Sequence, residues 1–358
     1  MIKSIKKSNA ILLVLMVLGA IGVVAGADNL TVLGVPPIIA DLFANGGAMI
    51  CPAFAITTEQ TGLVIAYKNE ELIADKVFPI SEKKSSHLNF KWHKASLGDA
   101  FTVPDTQVGR KSRPNQVTFD GTDESGLARA FGLEYPVPQE DIDEAAPAIS
   151  NYVNRKLLQL MDRVLLGREI RISSMAQNPA NYASDQVYAT AAGDKFTDSS
   201  SNPLKYLRAK MLKAYVRPTK VIFGPEAWEA FATHPKVVSA AFGNSGESGI
   251  ATRERVAQLL EVSEVIVGKS WANSAKLGQK PVLERTWKDN VIMQYDSPLS
   301  DQEDGLAYAR SVQIGARVVE SYESKEQGLR GGFILKAGFY HGDVILNEYC
   351  GSLLTGVI

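Results

Sequence analysis

The feature that most constrains the fold is an amphipathic stretch between Pro138 and Met175. Apolar residues recur there at steps of three and four, which lays one stripe along a helix: Ile149, Val153, Leu157, Leu160 and Val164. The polar residues between them are expected on the other face, towards solvent or a partner: Asn151, Arg155, Lys156, Gln159, Asp162, Arg163, Arg168 and Arg171. Since Pro147 suits a first turn, the continuous helix is predicted to begin near Ala148. It would be about 40 Å long, either a surface helix of an α+β domain or the spine of an extended protein.

Length and composition indicate a folded protein. The 358 residues are enough for two or three domains, and 45% hydrophobic with 22% charged residues is not the composition of a disordered chain. A formal net charge of −1 gives no whole-molecule attraction to nucleic acid. Cys51 and Cys350 are nearly the full chain apart and have no Cys or His neighbours at metal spacing, which favours two free thiols.

The N-terminus has a different character. Lys3, Lys6 and Lys7 precede an uncharged run at residues 10–27, AILLVLMVLGAIGVVAGA. A basic start, an apolar centre and a small-residue end are typical of a secretory signal peptide. The run of 18 residues also reaches the lower limit for a membrane-spanning helix. Residues 1–27 are therefore predicted to be an apolar leader that favours export or membrane insertion.

The region before the long helix is predicted to be extended. Residues 28–60 show no sustained helical or strand period, which is typical of an arm or linker. Strand-like pieces follow at residues 88–92 and 116–119. The polar segment between them, residues 105–115, carries Gly and Pro as turn markers. It predicts a long hairpin that stands away from the body of the protein.

After the long helix the pattern is that of an α/β lobe followed by strands. The predicted helices are 225–233, 235–241 and one from an N-cap at Thr252 to Leu260, and a further helical spacing joins Leu204, Leu207, Met211 and Tyr215. The predicted strands of the lobe are 186–190, 220–223 and 265–267, with a hairpin at 283–295 that turns at 288–290. The last fifty residues predict strands 311–319, 332–339, 343–349 and 352–357, with tight turns at 331–332 and 341–342.

Signals for catalysis are weak. The glycine-rich run 243–249 follows a predicted helix and contains no lysine, unlike a phosphate-binding loop, and it lacks the order of a nucleophile elbow. The histidines are scattered, and His87 and His93 would need a third metal ligand that the sequence does not supply; His234 is expected to cap a helix. The acidic residues Asp141, Asp143 and Glu144 are interpreted as complements of a helix dipole. The sequence therefore predicts no catalytic, cofactor-binding or metal site and no enzyme.

The densest basic patch beyond the N-terminus consists of Arg110, Lys111 and Arg113. These residues either bind phosphate or acidic side chains of a neighbouring subunit, or form a solvated loop. We treat them as candidate intersubunit contacts. The basic face of the long helix lacks base-reading elements, so it indicates at most a weak contact with a polyanion.

Several phrases of the sequence resemble segments of tailed-phage major capsid proteins. They are NEELIADKVFP at residues 69–79, AFTVPDTQVGRKSRPNQVTF at 100–119, YPVP at 135–138 before the long helix, HPKVVSAAFGNSGESGIATRERVAQLLEV at 234–262, VIVG at 265–268, WANSAK at 271–276 and GLRGG at 328–332. Each phrase is modestly specific, but together they span roughly residues 65–358 in the family's order.

This resemblance implies the Hong Kong 97-type capsid fold, an α+β fold with an N-terminal arm, an extended β-hairpin loop, a long spine helix, and peripheral and axial domains. The implied segments are the apolar leader 1–27, the arm 28–80, the extended hairpin loop 81–137, the spine helix and peripheral domain 138–202, the axial α/β domain 203–305 and the peripheral return strands 306–358.

The function implied by the resemblance is structural. Such a subunit assembles in the host cytoplasm into pentamers and hexamers of an icosahedral phage head that encloses double-stranded DNA, and it stays in the virion. Its expected partners are copies of itself, packaged DNA through weak non-specific contacts, and scaffold, portal or decoration proteins. A membrane is a partner only if the leader is retained. The alternative, which residues 1–27 keep open, is an exported or membrane-anchored non-enzymatic binding protein led by a signal peptide.

Overall fold

The structure is a computed structural model, and it describes residues 56–83, 87–95, 98, 101–116, 121–145, 149–243, 249–276, 278–297 and 306–358. All of them belong to the unit Ala55–Ile358. The predicted leader, most of the predicted arm and the centre of the glycine run 243–249 lie outside the described residues.

The described α-helices, numbered along the chain, are α1 Thr58–Ala66, α2 Ala74–Val77, α3 Gln139–Ala145, α4 Ile149–Ala176, α5 Pro203–Lys213, α6 Pro225–Ala232, α7 Pro235–Phe242 and α8 Arg253–Leu260. The prediction of a long helix is confirmed by α4, which has 28 residues. Val153, Leu157, Leu160 and Val164 are buried along it as predicted. Helix α1 begins at the end of residues 28–60, for which the sequence predicted no period, and continues beyond them. A capping box between Thr57 and Gln60 fixes where it begins.

The described strands are β1 Ile80–Lys83, β2 Asn89–Ala95, β3 Gly121–Leu127, β4 Arg129–Pro138, β5 Val187–Ala189, β6 Lys220–Phe223, β7 Glu264–Val267, β8 Trp271–Asn273, β9 Leu283–Arg285, β10 Val291–Gln294, β11 Ala309–Ser324, β12 Gly332–Ile345 and β13 Gly351–Thr355. A four-stranded sheet has the order β1-β11-β12-β4, and α4 packs against β12 and β4. A five-stranded sheet has the order β5-β13-β10-β6-β7. Two further pairs, β2 with β3 and β8 with β9, form antiparallel ribbons.

The five-stranded sheet is buried on both faces. Val221 and Phe223 of β6 contribute to a core with helices α5 to α8. Ile222, between them, faces a second core that contains Ile172 of α4 and Trp287. Because neighbouring side chains of a strand point to opposite faces, the continuous apolar runs of β6 and β7 are what such a two-sided burial requires. The predicted helices and strands of this lobe at 220–241 and 252–267 are confirmed.

Three local predictions are wrong. The hairpin 283–295 does not form, because β9 pairs with β8 whereas β10 lies between β13 and β6. The turn at His341 and Gly342 does not form either, since both lie inside the continuous strand β12, which replaces the predicted strands 332–339 and 343–349. A Cβ on Gly342 would lie 2.5 Å from the ring of Phe90, so this glycine makes room for packing and does not turn the chain. Tyr215 lies beyond the end of α5.

Candidate assembly surfaces

The predicted contact residues Arg110, Lys111 and Arg113 lie in an irregular, exposed segment, residues 101–116, which we name the basic loop. It belongs to the connection between β2 and β3, which pair antiparallel. Most of the predicted second strand, 116–119, lies outside the described residues. The Asn115 side-chain amide donates to the Asp105 carbonyl over 2.9 Å, which ties the two halves of the loop together. Within the described part of the chain, no ion pair engages the three cationic side chains.

The basic loop also exposes apolar side chains. Phe101 and Val108 are about half exposed, and Val103 is 80% exposed. Apolar area in water is unfavourable, by about 25 cal/mol per Å². A segment that combines unpaired cations with exposed apolar groups is suited to contact with another molecule, because association would bury the apolar groups and give the cations counter-charges.

Inside the protein, charged groups of α4 hold the segment that precedes the four-stranded sheet. We name residues 57–79 the N-terminal strap. Asp162 of α4 accepts hydrogen bonds from the Tyr67 hydroxyl over 3.2 Å and from the Asn69 amide over 2.7 Å. Nearer the start of the strap, Arg317 of β11 donates to the carbonyls of Val64 and Tyr67 over 2.8 and 2.6 Å. These hydrogen bonds satisfy carbonyl groups at the C-terminal end of α1.

Arg168 corrects the sequence analysis, which placed it on the solvent face of α4. It is 2% exposed. Its guanidinium pairs with Asp75 of the strap and donates to the Ser311 hydroxyl over 3.1 Å. It also reaches the Phe78 carbonyl at 3.4 Å. Arg168 therefore ties the strap to both α4 and β11.

Asp343 of β12 extends this polar cluster. It accepts a hydrogen bond from Ser311 over 2.5 Å and lies 3.9 Å from a nitrogen of Arg168 and 3.9 Å from Nδ1 of His341. Burial opposes ionisation of Asp343, but the nearby His341 imidazole, the hydrogen bond from Ser311 and the charge of Arg168 outweigh it and lower the pKa of this carboxyl. For His341, burial is the largest influence and lowers the pKa of the imidazole, which favours its neutral form. The Nε2 of His341 lies 3.1 Å from the Gln313 side-chain oxygen.

Glu169, the next residue of α4, is fully buried and accepts hydrogen bonds from three separate segments. The backbone N–H groups of Ile73 and Ala74 donate over 3.2 and 2.7 Å, the Trp287 indole over 2.6 Å and the Ser270 hydroxyl over 3.4 Å. Burial raises the pKa of Glu169, and these four hydrogen bonds oppose the rise. One carboxylate thus joins the strap, the long helix and the loops that flank the β8–β9 ribbon.

The sequence analysis did not identify the burial of Arg168 and Glu169. The spacing did contain a signal for Arg168, because the buried positions Leu157, Met161 and Leu165 continue at steps of three and four through 168 to Ile172. A charged residue on that line was assigned to solvent by its chemistry alone. Their partners Ser311 and Trp287 are more than 100 residues away in the sequence.

A Ser–His contact in the lobe is structural. His234 is the N-cap of α7, as predicted, and its Nδ1 accepts from the N–H of Lys236 over 3.2 Å. With Nδ1 occupied as an acceptor, Nε2 carries the proton and donates to the Asp198 carbonyl at 3.0 Å. The Ser201 hydroxyl lies 3.4 Å from Nε2, but this nitrogen has no free lone pair to take a proton from it.

The other candidate positions are not brought together. His87 is exposed, and the side chain of His93 lies outside the described residues. In the parts of the chain that the structure describes, no group of three or more His, Cys, Asp or Glu residues is arranged to hold a metal ion. Among the helices described here, none combines the length and the apolar character that crossing a bilayer requires. Cys350 is a buried free thiol.

Comparison with solved structures identifies the fold. A phage-related protein from Bordetella bronchiseptica RB50 superposes with a TM-score of 0.64 at 19% identity, over 84% of this chain and 97% of its own. A prophage protein of E. coli CFT073 with a provisional capsid assignment gives a TM-score of 0.51 at 11% identity, over 84% of this chain and 99% of its own. With its mixed helices and sheets, the chain has the α+β Hong Kong 97-type capsid fold.

Sequence comparison then gives the family. The major capsid protein of Pseudomonas phage JBD67 is 36% identical over 285 residues, which cover 80% of this chain and 91% of the relative. The major capsid protein of Burkholderia phage BcepMu is 25% identical over 66% of this chain and 74% of the relative. A scan against models of protein families gave no match. The chain belongs to the family of phage major capsid proteins. It is a structural subunit of the phage head shell, and its place is in the virion.

Proposed function

We propose that this subunit is a non-enzymatic building block, many copies of which form pentamers and hexamers of an icosahedral head around double-stranded DNA. The observation that supports it best is the basic loop, which presents Arg110, Lys111 and Arg113 with exposed apolar groups and, among the described residues, no ion pair to any of the three. In this proposal the loop contacts a neighbouring subunit. DNA contacts are weak and non-specific, and scaffold, portal or decoration proteins are the further partners.

The proposal carries a division of the chain into functional segments. Residues 28–80 serve as the arm, 81–137 as the extended loop, 138–202 as the spine helix with part of the peripheral domain, 203–305 as the axial domain and 306–358 as the return strands. The packing supports this division. Helix α4 and the β11–β12 pair share one sheet-and-helix layer, whereas α5 to α8 cover the other sheet. The apolar leader 1–27 lies outside the described residues, and family membership favours a shell subunit over the exported binding protein.

Charge reversal of the basic loop tests the contact. In the variant Arg110→Glu, Lys111→Glu, Arg113→Glu, we expect a folded subunit that yields few or no particles, because like charges would then face the acidic partner surface. Negative-stain electron microscopy and sedimentation velocity measure the particles, and circular dichroism checks the fold. The matched control reverses the same number of exposed lysines near the β8–β9 ribbon: Lys269, Lys276 and Lys280. Wild-type particle yield from the loop variant would refute the contact.

A further inference from the structure

The turn between β11 and β12 carries the most exposed large apolar side chain of the described residues. Leu329 is 98% exposed. A single exposed leucine is ordinary on a protein surface and needs no explanation by itself. What distinguishes Leu329 is that the backbone directly after it is tied to helix α3.

The turn is braced against helix α3 on the C-terminal side of Leu329. There the Gly331 carbonyl accepts from the N–H of Gln139 over 3.0 Å, and Arg330 pairs with Asp143 over 2.9 Å. On the N-terminal side, Gly328 has a φ of 63° in the left-handed region, which glycine adopts readily. These contacts hold the backbone while the leucine side chain points fully into solvent. A leucine presented in this way would gain hydrophobic burial from a partner with little further ordering of its own backbone.

The surroundings of Leu329 are acidic. We name α3 together with residues 325–330 the acidic knob. It contains five carboxylates against two cations, a formal net charge of −3: Glu140, Asp141, Asp143, Glu144 and Glu326 against Lys325 and Arg330. Glu140, Glu144 and Glu326 are exposed. Leu329 is therefore an apolar tip surrounded by negative charge, which excludes a nucleic acid as its partner.

The basic loop has the complementary composition. It holds three cations against Asp105, a formal net charge of +2, around the exposed apolar groups of Phe101, Val103 and Val108. Within the described part of one chain, no hydrogen bond or ion pair joins it to the acidic knob. Two different patches of the same chain that complement each other make a head-to-tail contact between copies, and such contacts form a ring when the rotation between copies closes.

We propose that the acidic knob of one copy docks on the basic loop of a second copy, with Leu329 packed against the loop's apolar side chains. The inference rests on the proposed function, because it names the surface that the basic loop contacts. It adds which surface of the second copy receives the loop and that the contact combines one apolar anchor with opposite charges around it. This arrangement resembles other interfaces in which a central apolar residue is enclosed by a polar rim.

Exchange of the charges tests the proposal. Reversal of the knob charges by Glu140→Lys, Glu144→Lys and Glu326→Lys is expected to lower the fraction of protein in particles by about thirtyfold or more. The same loss is expected for reversal of the basic loop. The variant that carries both reversals restores opposite charges and is expected to assemble again. Leu329→Ser, which changes no charge, should lower assembly at both low and high salt. The knob effect should fade towards 1 M salt, where the screening length falls to about 3 Å.

The outcomes separate the two proposals. If basic-loop reversal stops assembly and the double reversal does not restore it, the loop contact stands and the acidic knob is not its partner. If basic-loop reversal leaves the particle yield unchanged, the proposed contact of the basic loop is refuted, and this inference with it. Assembly of the knob variant at wild-type yield would overturn the inference. So would restoration of the knob variant by reversal of Lys269, Lys276 and Lys280, since the knob's partner would then be the β8–β9 ribbon.

A covalent measurement covers the case in which a charge variant does not fold. In a Cys51→Ser background, Leu329→Cys combined with Val103→Cys should form disulfide-linked oligomers under mild oxidation, visible on a non-reducing gel. Each single cysteine variant should give fewer oligomers. The remaining native thiol, Cys350, is buried and does not compete. Absence of linked oligomers from assembled particles of the double cysteine variant would count against contact between the knob and the loop.

Discussion

The buried carboxylate of Glu169 gives the sharpest test of how one copy holds its N-terminal strap. It accepts four hydrogen bonds, three of them on Oε1 and the fourth, from the Ala74 N–H, on Oε2. Glu169→Gln keeps the shape of the side chain and, in its better orientation, keeps three acceptor contacts on the amide oxygen. The amide NH₂ then faces the Ala74 N–H, so one buried donor loses its acceptor. We expect a cost of about 1–3 kcal/mol.

Glu169→Ala removes every acceptor. The Ser270 hydroxyl can rotate towards another acceptor, which leaves the N–H groups of Ile73, Ala74 and Trp287 buried without partners. At about 1–3 kcal/mol per buried unsatisfied donor, the cost should reach at least about 3 kcal/mol and exceed that of the glutamine variant. Loss of the side-chain volume adds a cavity term of the same sign. The expected order of the free energies of unfolding is therefore wild type above Glu169→Gln above Glu169→Ala.

Urea unfolding of unassembled subunits measures this order, with tryptophan fluorescence, to which the buried Trp287 contributes, as one probe and circular dichroism as the other. Coincidence of the two transitions is needed before free energies are compared. Glu229→Gln is the matched control, because Glu229 is an exposed glutamate inside α6 whose side chain has no partner among the described residues. A glutamine variant as stable as wild type, or one as unstable as the alanine variant, would refute the count of donors on which the prediction rests.

Three further predictions concern single positions. Gly224→Ala should destabilise the subunit by about 3 kcal/mol or more, because the new Cβ would lie 1.6 Å from a backbone carbonyl of the loop before β10. Gly193→Ala is the control in the same urea assay and should be neutral, because its Cβ would have no atom within 4 Å. Burial raises the pKa of Cys350 to about 12, so in a Cys51→Ser background this thiol should resist labelling at pH 8 in the native subunit and react after unfolding. Fast native labelling of that variant would contradict this. Burial lowers the pKa of His341 from 6.5, so below about pH 6.5 the unfolded chain takes up a proton that the folded chain does not. The urea midpoint should therefore fall as the pH drops below about 6.5. His341→Gln should reduce this fall, and His87→Gln, at an exposed position, should not.

Local patterns predicted the elements that local physics determines. The step pattern of α4, the N-caps at Thr252 and His234, and the apolar runs of β6 and β7 were all identified from residues close in sequence. In each case the deciding interaction joins residues within one or two turns of helix, or depends on the alternation of side chains along one strand. Such features do not require knowledge of distant partners.

Predictions failed where the deciding contact is distant in the sequence. Gly342 was interpreted as a turn, although it serves to admit the ring of Phe90 about 250 residues earlier. The pairing of β10 with β13 and β6 follows from the burial of both faces of the five-stranded sheet, which a hairpin pattern at 283–295 does not reveal. Arg168 and Glu169 were assigned to solvent or left aside because their partners lie on other elements. The position of the basic loop was predicted, but the absence of ion pairs to its cations within the described part of the chain required the structure.

The charged groups of this chain divide according to where their counter-charges lie, and the division separates folding from assembly. Asp162, Arg168 and Glu169 bond to partners inside one copy. Arg168 and Glu169 are buried. An unpaired charge there would be strongly unfavourable, so substitutions at Arg168 or Glu169 should unfold the subunit before they affect association. The basic loop and most of the acidic knob are exposed, and exposed charges contribute little to the stability of a single copy. Substitutions there should leave the subunit folded and change only whether copies associate. A basic-loop variant that unfolded the isolated subunit would contradict this separation, because it would show that the loop already has a partner within its own chain.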